Sequence, residues 1–369
     1  MEHCTTVVGL DVHKGTIVAA VLPSGSGRAA EKVTIENHPK MVEKMVRRLA
    51  ARGPVEFVYE AGPCGYETQR QIAAMGYRCS VIAPALTPVR PGDRVKTDRR
   101  DAEKLAHFHR CGELTEIRVP TVEEEAARDL PRAREDALED RLRARHRLSK
   151  FLLRQGRVFR ETKSWGAAHR AWLKTQKFEW PWLQQTFEAN MRAHDDVEAR
   201  LEMLSQQMMD LAQHPAYQIP VRYLRCLKGI DTLGALTLIV EAQDFKRFQK
   251  ARQFMCLTGL VSSEFSSGQR VRRGSITKAG NAHIRRVLVE AAWSQRHRNV
   301  VSRELAQRRE GCPWEVLKIA KKAQARLHRK FWRMSCRNKL HQVTVTAVAR
   351  ELAGFVWAIG QHFPAVGAS

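Results

Sequence analysis

The sequence predicts a mixed α/β amino-terminal domain, a helical middle and a mostly helical carboxy-terminal region, and three observations carry that prediction. Over residues 1–118, apolar runs follow the order three strands, helix, strand, helix, strand, helix. From Pro120 to about Gln213 the composition turns to Glu, Arg, Ala, Leu and Gln, the mixture of long charged helices. The 369 residues also carry 63 Lys and Arg against 39 Asp and Glu, a net charge of +24 with a pI near 10.2. A surplus of that size repels itself and is balanced most simply by a polyanionic partner.

Thr5 to Val12 (TTVVGLDV) is an apolar run interrupted by Asp11, and after a His13-Lys14-Gly15 turn Thr16 to Leu22 (TIVAAVL) is rich in small and β-branched residues. The two read as a buried hairpin, in which a mid-strand carboxylate needs a partner. Gly25-Ser26-Gly27 closes it, and Lys32 to Ile35 gives a third strand. Met41, Val42, Met45, Val46 and Leu49 recur at helical spacing between His38 and Ala51, before Gly53-Pro54. Val55 to Glu60 (VEFVYE) is a strand ending on Glu60, broken by Ala61-Gly62-Pro63. Tyr66 to Met75 is a helix and Tyr77 to Ile82 a strand; Pro84 and Pro88 then lead into a basic run from Arg90 to Arg110.

Within that run, Lys96-Thr97-Asp98-Arg99-Arg100-Asp101-Ala102 sets two aspartates one helical turn apart. Positions i and i+3 share a face, so Asp98 and Asp101 point at one space. Two such carboxylates repel by roughly 4 kcal/mol at about 4 Å with an effective dielectric near 20. A divalent cation removes the conflict; the ordinary alternative is a solvated charged face. The order of strands and helices is that of the ribonuclease-H-like fold and resembles the RuvC-type Holliday-junction resolvases. That resemblance implies an acid on the first strand, another at the end of the fourth and a pair on the last helix, which are the places of Asp11, Glu60, Asp98 and Asp101. Such carboxylates suit magnesium or manganese. Two hard cations about 4 Å apart stabilise both the attacking and the leaving oxygen of a displacement at phosphorus. Taken singly, Asp11 also reads as a turn or capping residue and Glu60 as an exposed strand end.

Residues 119–215 read as an antiparallel coiled-coil pair that holds subunits together or grips a nucleic acid backbone. Trp165, Trp172, Trp180 and Trp182 lie near its bend, to pack or to stack on bases. Leu227-Lys228-Gly229-Ile230-Asp231-Thr232-Leu233-Gly234 opens an apolar helix on a glycine turn. It resembles a helix-hairpin-helix, whose backbone N–H groups hold a phosphate, although Asp231 stands where a second glycine is usual and a plain helix start fits the stretch equally well. From Arg270 to Arg286 there are six Arg or Lys and no acid. Arg270, Arg272, Arg273, Lys278, Arg285 and Arg286, with Lys96, Arg99 and Arg100 of the earlier run, are the candidate nucleic-acid contacts. A serine held between a flexible glycine and arginines can attack phosphorus, because the cations stabilise the developing charge; the commoner role of a serine in a basic loop is to bind phosphate or water. From Ser302 onward only charge is legible: Glu315 to Leu340 holds nine Lys or Arg against one acid, with Phe331-Trp332 inside. That mixture suits RNA or single strands, or a solvated basic helix.

Gly9-Leu10-Asp11-Val12-His13-Lys14, Tyr59-Glu60-Ala61-Gly62, Lys96-Thr97-Asp98-Arg99-Arg100-Asp101-Ala102, Ser266-Ser267-Gly268 and Ile276-Thr277-Lys278-Ala279-Gly280-Asn281, in that order, closely resemble the DEDD transposases of bacterial insertion sequences. This is the family numbered one hundred and ten, also called bridge-RNA-guided serine recombinases, and the resemblance reaches to about Trp293. It implies a RuvC-like metal-binding domain at 1–118, a helical coiled coil at 119–215 and a transposase domain at 216–300, leaving 301–369 as a basic helical region. Carried over by position, Asp11, Glu60, Asp98 and Asp101 are the catalytic metal ligands for Mg2+ or Mn2+. Ser267, just before Gly268, is the nucleophile, with Ser266 its nearest alternative. The implied partners are donor and target DNA, a structured noncoding guide RNA and further copies of the chain in a tetramer. Gly259-Leu260-Val261-Ser262 departs from the Gly-Leu-x-Pro common before the serine, and the Trp-rich part of the middle is this chain's own.

Three rivals stand beside the recombinase. One is a Holliday-junction-type metal nuclease in which water attacks. Another is a sugar-kinase or actin-like ATPase, which shares the apolar-Gly-x-Asp opening but needs glycine-rich nucleotide loops that are missing. The last is a non-catalytic nucleic-acid binder. The eight cysteines form no C-x-x-C pair, which argues against a zinc ribbon. No apolar run reaches the roughly 18 residues of a membrane span, and the start lacks a signal-peptide pattern. A cytoplasmic, nucleoid-associated protein with reduced thiols and no membrane partner is expected.

Overall fold

The computed structural model describes residues 5–88, 97–161, 164–268 and 270–364, so Lys96 and part of the basic run before it lie outside the described residues. The chain forms two compact units, Met1–Pro120 and Thr121–Ser369.

In the first unit, β1 (Thr6–Val12), β2 (Thr16–Leu22), β3 (Glu31–Glu36), β4 (Val55–Glu60) and β5 (Cys79–Ile82) make one five-stranded sheet in the order β3-β2-β1-β4-β5. β2 is antiparallel to β1 and β3, whereas β4 is parallel to β1 and β5. Helices α1 (Pro39–Ala50), α2 (Glu67–Ala74) and α3 (Asp98–Arg110) fall between and after the strands in the order expected from the sequence. β5 starts at Cys79 rather than Tyr77, because the Tyr77 N–H still bonds back to the Ile72 carbonyl of α2 at 3.3 Å.

The strand alternation assigns the two faces. Val8 and Leu10 pack with Phe57 and Tyr59 of β4 and with Val42, Met45 and Val46 of α1. Val7 turns to the other face, with Val58, Ile82 and the α3 residues Leu105 and Ala106. Gly9 shares that second face, and a Cβ there would lie 1.9 Å from the Ala102 carbonyl oxygen and 2.8 Å from the Ala106 nitrogen. Only a residue without a side chain lets α3 rest directly on β1. Arg110 pins the end of α3, donating to the carbonyls of Leu22 and Ser26 at 2.6 and 2.7 Å. Near its start, Glu103 receives Lys32 at 2.6 Å. The next residue of β1 on the α3 face is Asp11.

The second unit is helical apart from one hairpin. α4 (Val122–Arg154) and α6 (Pro181–Leu211) lie side by side and antiparallel: Arg134 donates to Ser205 at 2.8 Å and Arg145 to Glu198 at 2.5 Å. Thr121 and Glu124 close a capping box at the start of α4, where Glu123, Glu124 and Glu125 favour the helix dipole. α5 (Ala167–Thr175) seals the far end. There Trp165 and Trp172 pack on Leu148, Phe151, Leu173 and Phe187, whereas Trp180 and Trp182 are exposed and stacked on one another at 5.2 Å.

The near end of the pair joins α7 (Pro215–Leu224), α8 (Thr232–Ala242), α9 (Ala251–Leu257), the hairpin β6 (Ser262–Glu264) and β7 (Arg273–Ile276), α10 (Ala282–Trp293), α11 (Arg303–Arg309), α12 (Trp314–Ser335) and α13 (His341–Gly360). One apolar core runs from Ala127 through Leu236 and Leu288 to Ile359, drawing on residues from both 216–300 and 301–369. The last stretch, legible in sequence only as charge, ends in the buried helix α13, whose Val345, Val348, Leu352 and Val356 face that core. α13 is long and apolar enough to cross a membrane although Arg350 and Glu351 interrupt its apolar run; it packs against α12, α10 and α9, with 50% of its most apolar window buried inside the protein.

Candidate metal centre and serine hairpin

The packing of α3 on Gly9 brings the first turn of the helix over the end of β1. Ligand atoms of Asp11, His13 and Asp98 all lie within 4.8 Å of one another. His13 Nε2 stands 3.3 Å from Asp11 and 3.6 Å from Asp98. Burial pushes the Asp11 carboxyl above its ordinary range. The His13 imidazole opposes that rise, and the carboxylates of Asp98 and Asp101 add to it. Asp101 is also 3.6 Å from Lys104.

Glu60 stands outside this group. The rung pairing Leu10 with Tyr59 puts Asp11 and Glu60 next in line on neighbouring parallel strands, but Glu60 Oε1 accepts a hydrogen bond from the Thr87 hydroxyl at 2.8 Å. The set therefore comprises a half-buried carboxylate under repulsion from two others, an imidazole between them and a fourth carboxylate one strand away. A cation bonded at roughly 2.1 Å to two oxygens holds them about 3–4 Å apart, a spacing that the 4.8 Å span of the Asp11, His13 and Asp98 ligand atoms can meet with a small adjustment of side chains. In the sequence His13 stood out as a turn residue and as part of the motif around Asp11, with no ligand role attached. The signal that could have found it was its place two residues beyond Asp11, just past the strand end.

In the second unit Ser267 lies at the tip of the hairpin. Its N–H donates to the Arg270 carbonyl at 3.2 Å, the Arg270 N–H returns to the Ser267 carbonyl at 3.1 Å, and Gly268 takes a φ of 55° in the turn between. Ser266 Oγ donates to Glu264 at 2.9 Å, while Ser267 is exposed. Arg270 and Arg272 are exposed, and Arg273 is 3.4 Å from Glu264. Phe265 is 75% exposed and Val271 62%, so apolar side chains flank the serine on both strands, a feature that no periodicity announced.

The other basic candidates divide by what they touch. Arg99 and Arg100 are exposed on the first turn of α3, and Lys278 is exposed with a φ of 55°. Arg285 donates to the carbonyls of Thr258 and Lys278 at 3.0 and 3.2 Å. Arg286 is held by Glu135 at 2.6 Å and Glu290 at 3.1 Å. Asn281 caps α10 and donates to Glu241, whose fully buried carboxylate also receives Arg132 through two bonds of 2.6 and 2.9 Å. Asp231 caps α8 by accepting from the Gly234 N–H at 2.7 Å.

Residues 8–155 match a family of DEDD transposases of the IS110 group, and residues 221–307 match one described as the Transposase IS116/IS110/IS902 family. A protein of Sinorhizobium fredii strain NGR234, provisionally named transposase y4qE, is 39% identical over 363 residues, which cover 98% of this chain and 90% of that one. The transposase for insertion sequence element IS1533 of Leptospira borgpetersenii is 34% identical over 336 residues, 90% of this chain and 97% of its own. The chain belongs to the IS110 family of insertion-sequence transposases. Membership implies DNA cleavage and rejoining and the use of a divalent metal, which the carboxylate and imidazole cluster of this transposase fits.

Proposed function

We propose that this transposase is an RNA-guided serine recombinase whose first unit is a RuvC-like domain holding Mg2+ or Mn2+ through Asp11, Glu60, Asp98 and Asp101. The sheet order β3-β2-β1-β4-β5 followed by α3 supports the RuvC-like reading. The observation that carries the proposal is the convergence of Asp98, from a separate helix, on Asp11 across the Gly9 contact. When bound, the metal polarises the scissile phosphate and neutralises the charge that builds there.

The chain's own residues do the rest. Asp11 and Asp98, brought together by the seating of α3, would hold the cation against which the scissile phosphate is oriented. Ser267 Oγ attacks phosphorus, forming an Oγ–P bond as the P–O bond to the departing deoxyribose breaks. The serine proton leaves to solvent and the departing oxygen gains one. The phosphoserine link conserves the bond for rejoining, so no ATP is consumed. Arg270, Arg272, Arg273 and Lys278 neutralise the flanking backbone, as Arg99 and Arg100 do beside the metal centre. A structured noncoding RNA pairs with donor and target and supplies sequence choice. A tetramer lets two duplexes be cut and exchanged together.

The test is Ser267→Ala. It keeps DNA binding but yields no covalent protein–DNA adduct on denaturing gels. Cleavage by Ser267→Ala at the wild-type rate would hand the reaction to water, and a transfer of adduct loss to Ser266→Ala would move the nucleophile by one residue. Sequencing the RNA that co-purifies tests the guide: it maps to noncoding DNA beside the gene, and a folded, active protein that carries none refutes that part.

A further inference from the structure

Helix α12 carries two kinds of surface that the chemistry above does not use. Lys322, Arg326, Arg329, Lys330 and Arg333 line a cleft of about 400 Å3 in which Glu351 is the only acid among the described residues. Glu351 is shared between Arg326 and Lys330, which leaves Lys322, Arg329 and Arg333 with no other carboxylate in that cleft. At the carboxy-terminal end of the helix a second cleft, of about 550 Å3, is walled by Trp293, Phe331 and Trp332, with Arg296, Ser335 and His341 on its rim and floor.

This second cleft is unlike a packing defect. Trp332 is 46% exposed although Phe331, beside it, is buried and meets it edge-on at 5.9 Å. The Arg296 guanidinium lies 5.8 Å from the centre of the Trp293 ring. Ser335 and His341 add polar groups to the lining. Arg329 and Trp332 are three residues apart and therefore neighbours on the helix surface, so the cations of the first cleft border the ring of the second. Phosphates on cations with a base laid on an aromatic face is how unpaired strands are held, and a base inside a duplex cannot reach such a face.

We propose that α12 and the first turn of α13 bind an unpaired segment of nucleic acid, one base entering the cleft between Trp293 and Trp332 while the flanking phosphates lie on Lys322, Arg329 and Arg333. This rests on the nucleic-acid part of the proposed function and extends it, because the metal centre and the serine hairpin act on the scissile strand and leave unpaired strands without a surface. RNA and single-stranded DNA share the chemistry.

Fluorescence anisotropy with the full chain tests it, using a labelled single-stranded DNA, the same sequence as RNA, and a blunt DNA duplex. Trp332→Ala weakens single-strand binding roughly 5- to 100-fold and leaves duplex binding within roughly twofold, whereas Trp332→Phe keeps most of the affinity. Arg329→Gln with Arg333→Gln flattens the salt dependence on single strands by roughly 0.7 in log–log slope per phosphate lost. The single-stranded arm that responds identifies the source. Unchanged single-strand affinity in Trp332→Ala overturns the inference, and so does an equal loss on duplex, or a change in oligomer mass in place of one in affinity. Ser267→Ala run in parallel separates the two readings: if it still forms adducts while Trp332→Ala loses single strands, only the serine chemistry is lost.

Discussion

Replacing Gly9 with alanine puts the seating of α3 to its most direct test, because the added methyl has nowhere to go. Its carbon would stand 1.9 Å from the Ala102 oxygen and 2.8 Å from the Ala106 nitrogen. Non-bonded atoms settle near 3.5 Å, so α3 has to retreat by roughly 1.5 Å. Both obstructing atoms are backbone, and no rotamer change relieves them. Overpacking of this kind costs about 1–3 kcal/mol, and rigid backbone on the far side puts Gly9→Ala at the upper end. The retreat also draws Asp98 and Asp101 away from Asp11. Hydrogen exchange of the β1 and β4 amides reads the stability, with about 3 kcal/mol appearing as roughly 100-fold faster exchange. Mn2+ titration of DNA cleavage reads the site, with half-saturation moving to higher metal or activity vanishing. Wild-type exchange at Val8 and Val58 together with wild-type cleavage refutes the reasoning, since α3 would then not be seated on β1.

Other expectations follow from the same contacts. Asp98→Asn abolishes metal-dependent cleavage while duplex affinity, read by gel shift with chelator present, stays unchanged; cleavage persisting at more than a tenth of wild type would remove Asp98 from the metal set. Burial pushes Glu135 up, but its bonds with Arg286 and His283 outweigh that and hold the carboxyl below its ordinary range. A carboxyl depressed on folding stabilises above its unfolded value and loses that contribution as pH falls through the folded one. The melting temperature of the wild type therefore converges on that of Glu135→Gln as pH drops below about 4.3, and a pH-independent gap between them contradicts the assignment. Glu241→Ala removes the two bonds from Arg132 and the one from Asn281 and costs about 2 kcal/mol, less than a fully buried pair because Arg132 is partly exposed. A denaturant midpoint equal to the wild type would show that the pair carries no stability.

Much of the first unit was readable because its signals are local. The runs Thr6–Val12 and Thr16–Leu22 are short, β-branched and closed by turn residues, and α1 repeats its apolar positions faithfully. Asp98 and Asp101 share a turn, so their common aim follows from helix geometry alone. The parts that escaped depend on partners far away in the chain. Arg132 meets Glu241 across 109 residues, and nothing near either one announces it. Charge alone does not separate Arg286, which closes on Glu135 and Glu290, from Arg270, which stays exposed. α13 was hidden because Arg350 and Glu351 interrupt its apolar run, while Glu351 is in fact held by Arg326 and Lys330. His13 acquires meaning only once Asp98 arrives beside it.

The 33-residue helix α4 is roughly 50 Å long at 1.5 Å per residue. It is bolted near one end by Arg132 to Glu241 and by Glu135 to Arg286, and Glu241 in turn grips Asn281 at the close of the Lys278 loop. A ligand at its tryptophan-clad tip would thus sit on the same unbroken helix that carries Arg132 and Glu135, two steps of side-chain contact from Asn281.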